Sequence, residues 1–205
     1  GSMESKAERI IRRQMTSFFG HFPEPHEVRE FLNEVGSRMI FADVLGYIQQ
    51  DQLFSMMQFA HRRYGVEHCI IDSLMRIEGL EEDYVAQGNF LNRLQEFTKG
   101  TGVHAHLVCH PRKLAADGRP GKMDVKGSSL IANNADNIVS VCRNPEKEKL
   151  RKSGALTQQQ QNTMHDTEII VEKQRETGWE GRFLLKFNPI TYSYSAMQAP
   201  MTTHP

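Results

Sequence analysis

The chain has 205 residues, 39% of them hydrophobic, with 25 Lys plus Arg against 25 Asp plus Glu. That length supports one domain with a sizeable core, and the charge balance excludes a global field that would draw the protein onto nucleic acid or a membrane, leaving that work to local patches. No apolar run approaches the ~18 residues of a membrane helix and no stretch reads as a signal peptide. The three cysteines, Cys69, Cys109 and Cys142, are far apart and odd in number, which fits a reduced intracellular setting better than a disulfide framework.

Taken in chain order, residues 1–3, "GSM", read as a cloning scar, so sequence upstream is expected to be missing. From Glu4 to Phe19 the apolar residues Ala7, Ile10, Ile11, Met15 and Phe18 recur at three- and four-residue spacing, which predicts an amphipathic helix. "HFPEPHEVREFLNEVG" predicts a proline-marked turn and a short helix ended by Gly36, and "RMIFADV" a strand. Asp51 is placed to cap a helix with Leu53, Met57, Ala60 and Tyr64 on one face, stopped by Gly65. "HCIIDSLM" and "VHAHLVCH" read as strands on either side of a helix from Tyr84 to Lys99 whose apolar side carries Phe90, Leu91, Leu94 and Phe97. Strands alternating with helices predict an α/β fold with a mostly parallel sheet flanked by helices, and functional residues just beyond the strands' carboxyl ends.

The second half changes character. "NIVSVCR", "TEIIVEKQR", "GRFLLKFNP" and "TYSYSA" are strands separated by turns, so the sheet is expected to finish in antiparallel hairpins. Residues 143–167 are polar and glutamine-rich with no apolar face, and are expected to form a mobile insert; residues 199–205 read as a frayed tail. A single domain is expected over residues 4–198.

Several residues in this frame carry chemistry. Asp72 ends an apolar strand, where a nucleotide-hydrolysing enzyme holds Mg²⁺ beside the phosphates, although strand ends also carry Asp for turn or solvation reasons. His110 ends the next strand, from which a terminal phosphate could be sensed by hydrogen bonding. His104 and His106 share its strand parity but lie roughly 15 Å away at ~3.3 Å per residue, so one zinc ion cannot bind all three, and an exposed or satisfied histidine pair is the better reading. "PRKLAADGRPGKMDVKGSS" carries Arg112, Lys113, Arg119, Lys122 and Lys126 among Gly and Pro. It reads as a solvated loop or as one that follows a phosphate backbone without reading sequence. Lys173 and Arg175 project to one face at a strand end, where two cations could reach a triphosphate, including one on a neighbouring subunit, or simply flank a turn.

In this order, "HCIIDSLM", "LVCHPRK", "DVKGSSLIANNADNIV" and "EKQRETGWEGRFLLKFN" resemble the carboxyl-terminal, RecA-like motor domain of DnaB-type replicative helicases, with phage primase-helicases and the mitochondrial Twinkle helicase nearest. The resemblance runs from about Glu4 to Tyr194. It implies a Walker B role for Asp72 toward Mg²⁺, phosphate sensing by His110, and general-base or water-orienting work for Glu4. Asn133, Lys173 and Arg175 would face nucleotide, with Arg175 as an arginine finger offered in trans. Arg112, Lys113, Arg119, Lys122, Lys126, Gly127 and Ser128 would line a channel gripping single-stranded DNA. ATP or another nucleoside triphosphate and Mg²⁺ are the implied cofactors. The implied partners are single-stranded DNA, other copies in a homohexameric ring and a primase domain, with no membrane. The implied setting is the cytoplasm of a bacterial or phage-infected cell, or a mitochondrion if the protein is Twinkle-like.

Two departures stand against the pattern. Asn133 occupies a position where the family usually carries Gln, and no G-x-x-x-x-G-K-[ST] phosphate loop occurs in the 205 residues. An upstream truncation is therefore expected, leaving a fragment without tight nucleotide binding or hydrolysis. The alternative is a RecA-like DNA-binding or scaffold module that never hydrolysed nucleotide.

Overall fold

A computed structural model describes residues 3–110, 129–197 and 201–202. The chain is mixed α/β, and it divides into two compact units: residues 1–110 with 126–131, and residues 111–125 with 132–205. One domain was expected. The strands of the second half pair only with each other, so each part closes around its own sheet.

In the first unit, helix α1 (Ala7–Phe19) stops at Gly20, whose φ of 76° supplies the left-handed cap that a side chain would resist. Helix α2 (Pro25–Glu34) begins with a proline in its first turn and a reciprocal cap between Glu24 and Glu27, and buries Phe31 against the Phe18 ring. Helix α3 (Gln50–Tyr64) buries Phe54 and Met57. Asp51, expected as its cap, lies instead in its first turn, two residues past the N-cap Gln49, and pairs with Arg93 at 2.6 Å. Strand β1 (His68–Ile71) leads to helix α4 (Tyr84–Thr101), whose N-cap Asp83 accepts hydrogen bonds from the Val85 and Ala86 amides. Strand β2 (His104–Leu107) follows and pairs in parallel with β1, His68 opposite His104 and Ile71 opposite Leu107. The core gathers Ile71, Leu74, Ile77, Leu80, Phe90 and Val103, each 3% exposed or less.

"RMIFADV" forms no strand. The chain there is irregular, with Ile40 and Leu45 exposed, and the only ladder contact nearby is a single parallel bridge from Ile48 to Ile77. Strand propensity is realised only with a partner to pair with, and among the described residues these meet none. The parallel sheet among the described residues therefore has two strands.

Helix α5 (Ser129–Asn134) precedes strand β3 (Asn137–Arg143). After β3 come helices α6 (Pro145–Ser153) and α7 (Gln158–Thr163), then strands β4 (Thr167–Gln174), β5 (Gly181–Asn188), β6 (Ser193–Ala196) and β7 (Met201–Thr202). These strands make one antiparallel sheet in the order β3-β4-β5-β6, with β7 also on β5, so the expected hairpin finish is present.

The segment 143–167, expected as a mobile insert, is instead two capped helices. Asn144 caps α6 ahead of Pro145, Gly154 closes it, and Thr157 and Gln160 form a capping box on α7. Its anchor is a lysine rather than an apolar face. Lys147 is 1% exposed, its ammonium 2.8 Å from Asp166, and it donates to the carbonyls of Gln161 and Met164. Burial works against the charge of Asp166, but hydrogen bonds from Lys147 and the Phe187 amide, together with nearby positive charge, outweigh it and hold this carboxyl below the usual range. A depressed carboxylate stabilises the fold above its unfolded value and loses that contribution as pH falls through the folded one. Lys147→Ala removes the buried partner of Asp166, which keeps Arg151 and the Phe187 amide, and one of two donors to the Gln161 and Met164 carbonyls, the other being Lys186. The loss is expected to cost about 2 kcal/mol, read as a lower urea midpoint, and an unchanged midpoint would show that the pair does not anchor α6.

Candidate functional site

Parallel pairing decides where β1 and β2 end. Past the last ladder pair the chains stay joined, Val108 donating to the Ile71 carbonyl (2.9 Å) and Leu74 to that of Val108 (3.0 Å). Asp72 and His110 therefore leave the sheet at the same end, as the sequence predicts. The amino-terminal residues complete this end. The Met3 amide donates to the Asp72 carbonyl at 2.7 Å, the Met3 carbonyl accepts from Gly46, and the Met3 side chain is 6% exposed. Met3 is thus part of the packing, although it was assigned to the terminal scar.

That anchor brings Glu4 to the strand ends. Its Oε1 accepts from the buried Ser73 hydroxyl at 3.1 Å, lies 3.3 Å from His110 Nε2, and meets the Arg76 guanidinium at 3.5 Å. Arg76 in turn lies over the Tyr47 ring, 5.6 Å from its centroid. The hydrogen bond from His110 is the strongest influence on the Glu4 carboxyl. Burial opposes it, but with help from Ser73 and the charges of His110 and Arg76 the carboxyl is held below its ordinary range. Glu4 is accordingly a fixed carboxylate at neutral pH.

Lys173 and Arg175 form a second cluster, with Asn133, inside the other unit. The Lys173 ammonium donates to the carbonyls of Ala132 (3.0 Å) and Asn133 (3.1 Å), in the last turn of α5. Arg175 pairs with Asp136 at 2.6 Å and donates to the Asn133 carbonyl at 3.2 Å, and its backbone amide bonds to the Asp136 carbonyl. Asn133 takes part in this cluster through its main-chain carbonyl. The Arg175 and Asp136 side chains are 55% and 70% exposed, so the pair orients the guanidinium at a cost to break of under about 1 kcal/mol.

Of the residues singled out in the sequence, Glu4, Asp72 and His110 therefore share one strand end, and Asn133, Lys173 and Arg175 share another cluster. Arg112, Lys113, Arg119, Lys122, Lys126, Gly127 and Ser128 lie outside the described residues. Sequence reading missed Ser73, Arg76 and Asp136 as partners. Ser73 was adjacent to the chosen Asp72, but its role depends on a contact 69 residues away in sequence. Neither a family model nor a curated protein matches this chain.

Among the described residues no helix is long and apolar enough to cross a membrane. Followed by carboxyl-detected NMR, the titration midpoint of Glu4 is expected to rise in Ser73→Ala and to rise further in His110→Ala. Midpoints that stay put in both variants would show that the cluster does not form in solution.

Proposed function

We propose that the chain is the RecA-like motor portion of an ATP-driven, ring-forming replicative DNA helicase of the DnaB type. The observation that supports this best is the meeting of Glu4 and His110 at the end of two parallel strands beside Asp72, since Asp72 and His110 are strand-end candidates and Glu4 is the general-base position that the helicase resemblance implies. On this reading the motor requires a phosphate loop, and these 205 residues contain no G-x-x-x-x-G-K-[ST] segment.

The residues present fit a magnesium nucleotide. Mg²⁺ is commonly held by one or two carboxylates, with substrate phosphates and water completing the shell, and Asp72, whose main-chain carbonyl accepts from the residue before Glu4, would supply such a carboxylate. When bound, the ion would neutralise developing charge on the phosphates. Glu4, ionised and held by Ser73 and Arg76, is better suited to orient an attacking water than to take its proton, because a carboxylate below the usual range is a weak base. His110 ties Glu4 to the segment that continues toward Arg112, and so offers a hydrogen-bonded link between hydrolysis and the basic stretch proposed to grip single-stranded DNA. Arg175, aimed by Asp136, is the finger for a neighbour's nucleotide in a hexamer, and Lys173 fixes the segment on which it stands.

A second reading, a RecA-like scaffold that binds DNA without hydrolysis, is favoured by one observation, the lack of a G-x-x-x-x-G-K-[ST] segment in this sequence. The two separate on ATP hydrolysis by a polypeptide carrying this chain together with its upstream sequence. DNA-stimulated turnover abolished by Asp72→Ala is expected; DNA binding with no turnover in the wild type would favour the scaffold. In rings mixed from wild-type and Arg175→Ala subunits, activity is expected to fall more steeply than dilution, and a strictly proportional fall would remove the trans role of Arg175.

A further inference from the structure

The parallel register that aligns the strand ends also builds a cluster on one sheet face. Alternation along β1 and β2 puts His68, Ile70, His104 and His106 on the same side, and all four are exposed. Parallel sheets are ordinarily covered on both faces, so an open face carrying three imidazoles is unusual. His68 Nδ1 lies 3.1 Å from His106 Nε2, with the rings stacked at 25° and their centroids 5.4 Å apart. The His104 ring stands beside them, 4.5 Å from His106 and 5.5 Å from His68.

We propose that His68 and His106 form a two-point chelate for a late first-row divalent cation, of which Zn²⁺ is the reference case. Two nitrogens bound to one tetrahedral zinc at ~2.0–2.1 Å stand about 3.3 Å apart, close to the separation already present. One proton bridges the nitrogens in the metal-free pair. On binding, the ring that carries it moves it through solvent to its other nitrogen, so both rings present lone pairs without a net change of charge. Among the described residues no group of three or more His, Cys, Asp or Glu side chains is arranged to hold a metal ion, so water completes the coordination. The site is independent of the helicase assignment, and it differs from the zinc set weighed in the sequence because His68 of the adjacent strand replaces the distant His110.

The test is calorimetric titration of the untagged 205-residue chain with ZnCl₂ at pH 7. Saturable micromolar binding is expected, weakened at least tenfold in His68→Ala, His106→Ala and His106→Gln, and by less than threefold in His104→Ala and in His26→Ala on α2. The Gln variant keeps a hydrogen-bonding group of similar reach but is a poor ligand, so it separates coordination from pairing. In the wild type, long-range ¹H–¹⁵N spectra should show His68 and His106 ring nitrogens shifting on addition of Zn²⁺, a readout that needs no variant to fold. Absence of saturable binding, equal loss in the His104 variant, or ring signals that do not move would overturn the proposal.

Discussion

The parallel pairing of β1 with β2 is the constraint on which the candidate site depends. Antiparallel strands would have sent Asp72 and His110 to opposite ends of the sheet. Parallel register fixes them at one end, continues beyond the formal strands through the Ile71 and Val108 carbonyls, and leaves the Asp72 carbonyl available for the Met3 amide. That single backbone bond brings Glu4 within reach of Ser73, Arg76 and His110. A residue near the start of the chain thereby enters a site whose other members lie 69 and 106 positions later.

Charged side chains do much of the positioning in both units, each with a different energetic character. Lys147 is buried, and it shares Asp166 with Arg151 and the Phe187 amide and two carbonyls with Lys186, so it works as the inner member of a charged network where α6 and α7 pack. Arg175 is exposed, so its bond to Asp136 adds little stability and mainly narrows the directions in which the guanidinium points. The proposed finger role would need an arginine that is ordered without being buried, and pairing with an exposed carboxylate is compatible with that.

How much was legible in the sequence follows from where the information sits. The helices α1 to α4 and the strands β1 to β6 were visible because periodicity, glycine stops and β-branched runs are local. The strand expected at "RMIFADV" failed because pairing is a property of the partner as well as of the segment. Helices α6 and α7 were missed because attention fell on their missing apolar stripe, while the caps at Asn144 and Thr157 and the buried lysine carried the signal. For the site, strand-end logic located Asp72 and His110, whereas Ser73, Arg76 and Asp136 became visible only through contacts across long sequence separations.

The role proposed for Glu4 is to work on the hydrolytic water and not on nucleotide affinity. Single-turnover ATP hydrolysis by a phosphate-loop-containing parent bearing Glu4→Gln tests this most directly, with nucleotide binding measured alongside. The predicted result is nucleotide binding within a few-fold of wild type and a hydrolysis rate lower by a factor on the order of 10² or more. Hydrolysis at the wild-type rate, with binding intact, would contradict the claim and reduce the Glu4 cluster to a structural tie between the amino-terminal segment and the sheet.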